Sequence, residues 1–464
     1  MTDLAKLLVP DSGQTARAIH IVDKAGYDAW FKAQPTRVRA SLEAQKYQPN
    51  GYEKAVIPGD KDDDWAVVTA VANAESLSSW CLARLAETLP AGTYRVAGRE
   101  PGPAILGWML GQYKFTRYKK DDKPVGPRVL VTGEPGRMAE AVAAAEATYL
   151  VRDLVNTPAS DMGPAELAHA AEKLAKSHGA KIHITKGDAL SEGYPMVHAV
   201  GRAADKQRAP RLIELHWGNP KHPHLALVGK GVCFDSGGLD IKPAAGMALM
   251  KKDMGGAAHV LGLAHIIMAM KLPVHLHVVI GAVENAISGD AMRPGDVLTS
   301  RKGLTVEVNN TDAEGRLVLG DALTKACEEK PELVIDFATL TGAARVALGP
   351  DLPPVFANSE GLGEALMVAG HAVDDPVWHM PLWAGYDEML KTDIADIDNS
   401  PTGGFAGAIT AALFLKRFIA EGPQWMHFDT FAWRPAAKPG RPKGGDALGM
   451  RAVWHYLKGR YGSA

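Results

Sequence analysis

A chain of 464 residues exceeds what one hydrophobic core usually organises, and its 46% apolar and 22% charged residues exclude a disordered or low-complexity protein. A formal net charge of -2 gives no electrostatic case for a nucleic-acid partner. Three widely spaced cysteines, Cys81, Cys233 and Cys327, exclude both a disulfide framework and a cysteine zinc site.

Residues 1–10 carry Asp3 and Lys6 and lack the apolar core of a secretory signal. Up to residue 134, apolar runs at 66–71 and 128–131 alternate with a helical stretch at 77–87, the pattern of a small α/β domain. Residues 135–157 form an alanine-rich segment with Pro135 in the first turn and Pro158 just after it. Proline favours a helix start and disfavours helical geometry in the residue before it, so one connecting helix is expected.

The larger remainder, 158–464, reads as helix at 164–178, then strands at 181–185, 211–216 and 224–229. Helix 255–270, strands 274–280 and 305–308, helix 317–329 and strand 333–337 follow. This alternation predicts an α/β catalytic domain around a central, largely parallel sheet, whose ligand sites lie beyond the strand C-terminal ends. The most apolar region, 261–283, is interrupted by His265, Lys271, Pro273 and His275, so no membrane span and a cytoplasmic location are expected.

Two strand ends concentrate chemistry. At 227–238 an apolar strand runs into glycines, Lys230 and Asp235; glycine permits close backbone approach to a bound group, although a solvated ion pair at a strand-to-loop junction has the same composition. At 306–316, Asp312, Glu314 and Arg316 recur at every second position and would share one face if the segment were extended. Carboxylates and a guanidinium at a sheet edge can hold hard cations together with an anion, as two-metal hydrolysis requires; a charge-balanced surface loop is the plainer reading. Between these ends lie Lys242, by default a surface lysine, and Asp253, by default a helix cap.

In this order, the three stretches resemble the leucyl aminopeptidases, also called cytosolic leucine aminopeptidases. The similarity extends through 152–158, 338–343, 393–396 and 407–417, and so spans roughly 150–450. Residues before 135 carry no matching motif and take the place of the family's variable N-terminal domain. The resemblance implies two divalent metal ions per subunit, manganese or zinc first, with magnesium or cobalt as alternatives. Lys230, Asp235, Asp253 and Glu314 would bind one, and Asp235, Asp312 and Glu314 the other. It further implies that Lys230 ligates as the neutral amine, that Lys242 stabilises negative charge on the tetrahedral intermediate, and that Arg316 holds a bicarbonate acting as general base. The side-chain pocket maps onto Met250, Thr339, Leu340 and Gly342, short peptides are the implied substrates, and a homohexamer is the implied assembly. Asp240 and the stretch 447–451 depart from the usual pattern of relatives and leave substrate preference open.

Other readings are weaker. Asp235-Ser236-Gly237-Gly238 superficially matches a serine-protease loop, but on an α/β chain without the matching His and Asp context. Cys233 could serve as a thiol nucleophile, although a cysteine at a strand end is more often a small buried hydrophobe. The sixteen histidines show no HExxH spacing. The alternative class is a DNA-binding architectural or regulatory protein, or a scaffold, on the same fold.

Overall fold

The computed structural model describes the chain except residues 1–3, 60, 62–63, 120–124, 402 and 463–464, so Asp3 lies outside the described residues. Two compact units emerge, Met1–Tyr149 with Ala436–Lys443, and Leu150–Pro435 with Gly444–Ala464. The dividing point falls within one long helix, Pro135–Asn156, which ends two residues before Pro158.

The first unit holds a six-stranded mixed sheet of β1 (Leu8–Pro10), β2 (Arg17–Val22), β3 (Lys54–Pro58), β4 (Trp65–Ala70), β5 (Gly92–Val96) and β6 (Arg128–Thr132). Its order is β1-β6-β5-β2-β4-β3, with β3 antiparallel to β4. Of the helical stretch expected at 77–87, only Ala83–Thr88 forms an α-helix. The Ser78 hydroxyl contacts Cys81 Sγ and accepts from the Trp80 N–H, and such local bonds compete with helix formation.

The second unit is built on strands β7 (Lys181–Thr185), β8 (Arg211–Gly218), β9 (His224–Asp235) and β10 (His275–Asn285). β11 (Asp296–Thr299) and β12 (Thr305–Val308) belong to a separate small sheet with β16 (Ile397–Asp398). β13 (Leu333–Ala338), β14 (Pro354–Ala357), β15 (Trp378–His379) and β17 (Gln424–Asp429) complete an eight-stranded sheet ordered β15-β14-β17-β13-β9-β10-β8-β7. Its centre, β17-β13-β9-β10, is parallel throughout.

Helices cover both faces of β9, which explains why its sequence is almost continuously apolar rather than alternating. On one face a Cβ at Gly229 would meet the backbone of Ala257 in the helix Gly255–Ala269; on the other, a Cβ at neighbouring Gly281 would meet Val318 in the helix Glu314–Glu328. The main core of this unit, including Val228, Val279, Leu317, Val318 and Phe414, fills the second interface.

Candidate active site

Strand β9 runs past the end of its pairing with β13 while staying paired with β10, and it delivers Lys230 and Asp235 there. They are five residues apart, so a regular strand would point them to opposite faces. The ladder with β10 pairs Val232 with Val283 but Asp235 with Asn285, so Cys233 and Phe234 together oppose the single Glu284. This extra residue re-aims Asp235 onto the face that carries Lys230, a device rare in parallel pairs.

The segment 312–316 is not extended. Asp312 lies in the loop after β12, while Glu314 and Arg316 occupy the first turn of the helix Glu314–Glu328, which starts three residues before the position expected. Helical geometry therefore separates Arg316 from the carboxylates instead of aligning it with them. Asp253 is not a helix cap either: it sits in the short 3-10 turn Met250–Met254, and Met254 precedes the helix.

These elements gather four carboxylates around two ammonium groups. Lys230 Nζ lies 2.7 Å from Asp253 Oδ2 and 2.9 Å from Glu314 Oε1, and donates to the Thr339 carbonyl at 3.1 Å. Lys242 Nζ lies 2.8 Å from Asp235 Oδ2 and also pairs with Asp312. One oxygen each of Asp235, Asp253 and Glu314 lies within 4.8 Å of the others, and all three residues are buried. Gly315 makes this approach feasible, because a Cβ there would stand 2.5 Å from the Lys230 side chain.

The charges are strongly coupled. Burial, then the charges of Asp235 and its neighbours, push the Glu314 carboxyl up to about 8, and burial and Asp235 push Asp312 up to about 6. Asp253 goes the other way, to about 2, because Lys230 and Lys252 outweigh its burial. Burial works against the Lys230 ammonium, but Asp253, Glu314 and Asp235 outweigh it and raise its pKa; Asp235 and Asp312 do the same for Lys242. These carboxylates thus favour the ammonium form of Lys230. Metal cations would have to displace that proton before the amine could ligate.

The donor set fits two hard or borderline cations: four clustered carboxylates, one amine, and bound protons that cations could replace. A buried arginine fits an anion. Neither Nε nor one terminal nitrogen of Arg316 has a hydrogen-bond partner, its Cζ lies 5.9 Å from the Phe414 ring centre, and burial lowers its pKa to about 10. Buried donors are normally satisfied.

A cavity of about 350 Å³ opens over the cluster. Lys230, Asp235, Lys242, Asp253 and Asp312 line its polar side, and Met250, Leu340 and Gly342 its apolar side; Thr339 also lines it. Glu314 and Arg316 are not among the lining residues. The Thr339 hydroxyl donates to Asp253 Oδ1 at 2.8 Å, so this residue serves the carboxylate cluster as well as the cavity wall.

Sequence reasoning missed three positioning groups. Asn285 donates to Asp235 Oδ1 at 2.8 Å and to the Thr311 carbonyl at 3.1 Å, tying two strand ends together. Buried Lys252 lies 3.4 Å from Asp253 Oδ1. Asp429, at the end of β17, accepts from the backbone N–H groups of Leu340 and Thr341 and from the Thr341 hydroxyl at 2.6 Å, fixing the cavity wall. Asn285 and Asp429 both close parallel strands, the one signal that could have found them. The thiol reading of Cys233 loses ground, since its complete burial raises the pKa and disfavours a thiolate.

Residues 149–454 match the cytosol aminopeptidase family, catalytic domain, and residues 18–131 match the M17 aminopeptidase N-terminal domain. A probable cytosol aminopeptidase of Chelativorans sp. (strain BNC1) is 40% identical over 450 residues, 91% of this chain and 88% of the relative. The crystal structure of the cytosol aminopeptidase from Coxiella burnetii superposes with a TM-score of 0.92 at 43% identity, covering 98% of this chain and 99% of the other. The bottromycin maturation enzyme BotP in complex with Mn superposes with a TM-score of 0.87 at 30% identity, over 96% of this chain and 100% of the other. Among the described residues no helix is long and apolar enough to cross a membrane.

Proposed function

Because the chain belongs to the cytosol aminopeptidase family, a family of metal-dependent hydrolases of peptides, we propose that it removes N-terminal residues, preferentially leucine and other apolar ones, from short peptides by two-metal hydrolysis. The observation that carries this reading is the convergence of Lys230, Asp235, Asp253, Asp312 and Glu314 beneath one cavity that has an apolar wall. Lys230, Asp235, Asp253 and Glu314 hold one cation, and Asp235, Asp312 and Glu314 the other. Manganese or zinc suits a set that mixes carboxylates with one nitrogen. Such ions supply Lewis acidity and a bound water of lowered pKa.

The remaining roles belong to the protein's own side chains. Lys242 lines the cavity with its ammonium paired to Asp235 and Asp312, and from there it stabilises charge developing on a carbonyl oxygen. Arg316 holds bicarbonate through its unpartnered guanidinium nitrogens and so keeps a general base beside the cluster. Met250, Thr339, Leu340 and Gly342 receive the N-terminal side chain, and methionine gives that wall its adaptability. A cytoplasmic homohexamer is part of the same reading, and sedimentation of the purified protein tests the assembly.

The decisive assay follows release from leucine p-nitroanilide after chelation and after return of manganese or zinc, for wild type, Lys230→Ala and Glu314→Ala. Activity restored by metal in the wild type alone is expected. Chelator-insensitive turnover, or variants as active as the wild type, would overturn the mechanism.

A further inference from the structure

At the end of β9 far from Lys230, a second group of ligand-type side chains collects. His224 opens β9, His277 on β10 stands beside Ala226, and His216 on β8 stands opposite His277. The three imidazoles therefore project from one face of the sheet, the face that also carries Lys230. The helix Glu314–Glu328 packs along that face, and Glu329 follows its last turn. His224 and Lys230 are six strand positions apart, about 20 Å, so this cluster is separate from the active site.

Its spacing is that of a coordination shell. His216, His277 and Glu329 each bring one ligand atom to within 4.8 Å of the others. Glu329 Oε1 lies 3.1 Å from His216 Nε2, while Oε2 lies 3.7 Å from His277 Nδ1 and 3.8 Å from His224 Nε2. Ligands bonded at about 2.0–2.2 Å to a tetrahedral zinc stand about 3.4 Å apart, in the middle of that spread.

An independent observation points the same way. His277 is completely buried, yet neither ring nitrogen makes a hydrogen bond, and the same holds for the buried Nε2 of His224. Imidazoles buried like this normally find partners. His277 Nε2 instead faces Glu214 Oε1 at 3.4 Å, the placement of a carboxylate that orients a ligating imidazole from behind. Lys325 Nζ, 3.7 Å from the same Glu214 oxygen, balances that charge.

We propose that His216, His277 and Glu329, with His224 in reach, form a second metal site that takes zinc or another borderline divalent ion in preference to manganese or magnesium. Imidazole ligands set that preference. The His216 ring stacks on His277 at 4.2 Å and 13°, and parallel rings cannot both aim a lone pair at one ion. Closing the site therefore turns His216 about χ2, a broad torsion, on a side chain that is 32% exposed and whose Nε2 meets Glu329 Oε1.

The test measures zinc bound per chain in the full-length protein, stripped by chelator and dialysed against zinc in the presence of excess manganese. His216→Ala and Glu329→Gln, both at partly exposed positions, should each carry one zinc fewer than wild type while keeping wild-type aminopeptidase turnover. Glu214→Gln should keep the site but weaken zinc binding roughly 10–100-fold. Glu314→Ala, altered at the active site, should retain the second-site zinc. Equal zinc content and affinity in wild type, His216→Ala and Glu329→Gln would overturn the proposal and leave a stack of histidines.

Discussion

Thr311 and Asp240 hold one another in both directions: the Thr311 N–H and hydroxyl donate to Asp240 Oδ2 at 2.8 and 3.2 Å, and the Asp240 N–H donates to Thr311 Oγ1 at 2.9 Å. The pair joins the loop after β9 to the loop after β12, one residue from Asp312. Asp240 thus has a structural task. Asp240→Ala is expected to lower affinity for the active-site metals roughly tenfold or more, as loss of outer-shell partners commonly does, while Asp240→Asn keeps an acceptor and stays near wild type. Metal titration of both variants checks this, and an unchanged Asp240→Ala would show the tie to be dispensable.

Lys252 places a buried positive charge beside Asp253, and burial pulls its pKa down. Lys252→Met should tighten cation binding at the active site, because one repelling charge is removed; a change of about 1 kcal/mol, several-fold in affinity, is the scale for such a pair. The chelator concentration that halves activity should rise. A fall would mean that Lys252 matters chiefly by orienting Asp253.

Arg316 is expected to be essential for response to an added anion rather than for metal retention. Arg316→Ala should keep wild-type metal content, lose turnover by roughly 10²-fold, the scale of one general base, and no longer respond to added bicarbonate. Turnover of the variant that still rises with bicarbonate would place the anion elsewhere.

Two buried ion pairs give opposite pH dependences of stability. Asp446 lies 3.0 Å from Arg152 and 2.9 Å from Arg434; burial raises its pKa, but the two guanidinium groups outweigh it and the net shift is downward. Its contribution is therefore present above the unfolded carboxyl value of about 3.9 and is lost as pH falls through the lower folded value. His427 pairs with Asp336 at 2.6 Å; burial lowers its pKa, but Asp336 outweighs burial and the net shift is upward. That contribution is present below about 6.5 and is lost as pH rises through the folded value. Thermal melts of His427→Gln should flatten the alkaline side. Asp446→Ala, which removes a buried counter-charge shared by Arg152 and Arg434, should cost about 3–5 kcal/mol at neutral pH.

Much of the architecture could be read from periodicity, because strands such as Lys181–Thr185 and Thr305–Val308 and helices such as Pro164–His178 are bounded by turn residues. Periodicity ends β9 six residues early, since its glycines, Lys230 and Asp235 look like a loop and become strand only when both faces are covered. The early start of the helix at Glu314 was hidden for a related reason: Ala313 precedes it without a capping side chain, so no sequence signal announced it. The residues that gather around the cluster were named from three stretches, but Asn285, Lys252 and Asp429 act through contacts that exist only after folding. The excursion Ala436–Lys443 into the first unit carried no signal of composition at all.

The two-against-one step at Cys233 and Phe234 makes strand length part of the chemistry. Many substitutions at these two positions can leave the count of residues between Lys230 and Asp235 unchanged, and with it the face each side chain takes. Deleting either residue would leave Asp235 four positions from Lys230 in a regular ladder, still on its face, whereas losing the two-against-one step at unchanged length would turn Asp235 to the opposite face. Along this strand it is the backbone step at Cys233 and Phe234, rather than the side chains that fill it, that decides which face Asp235 takes.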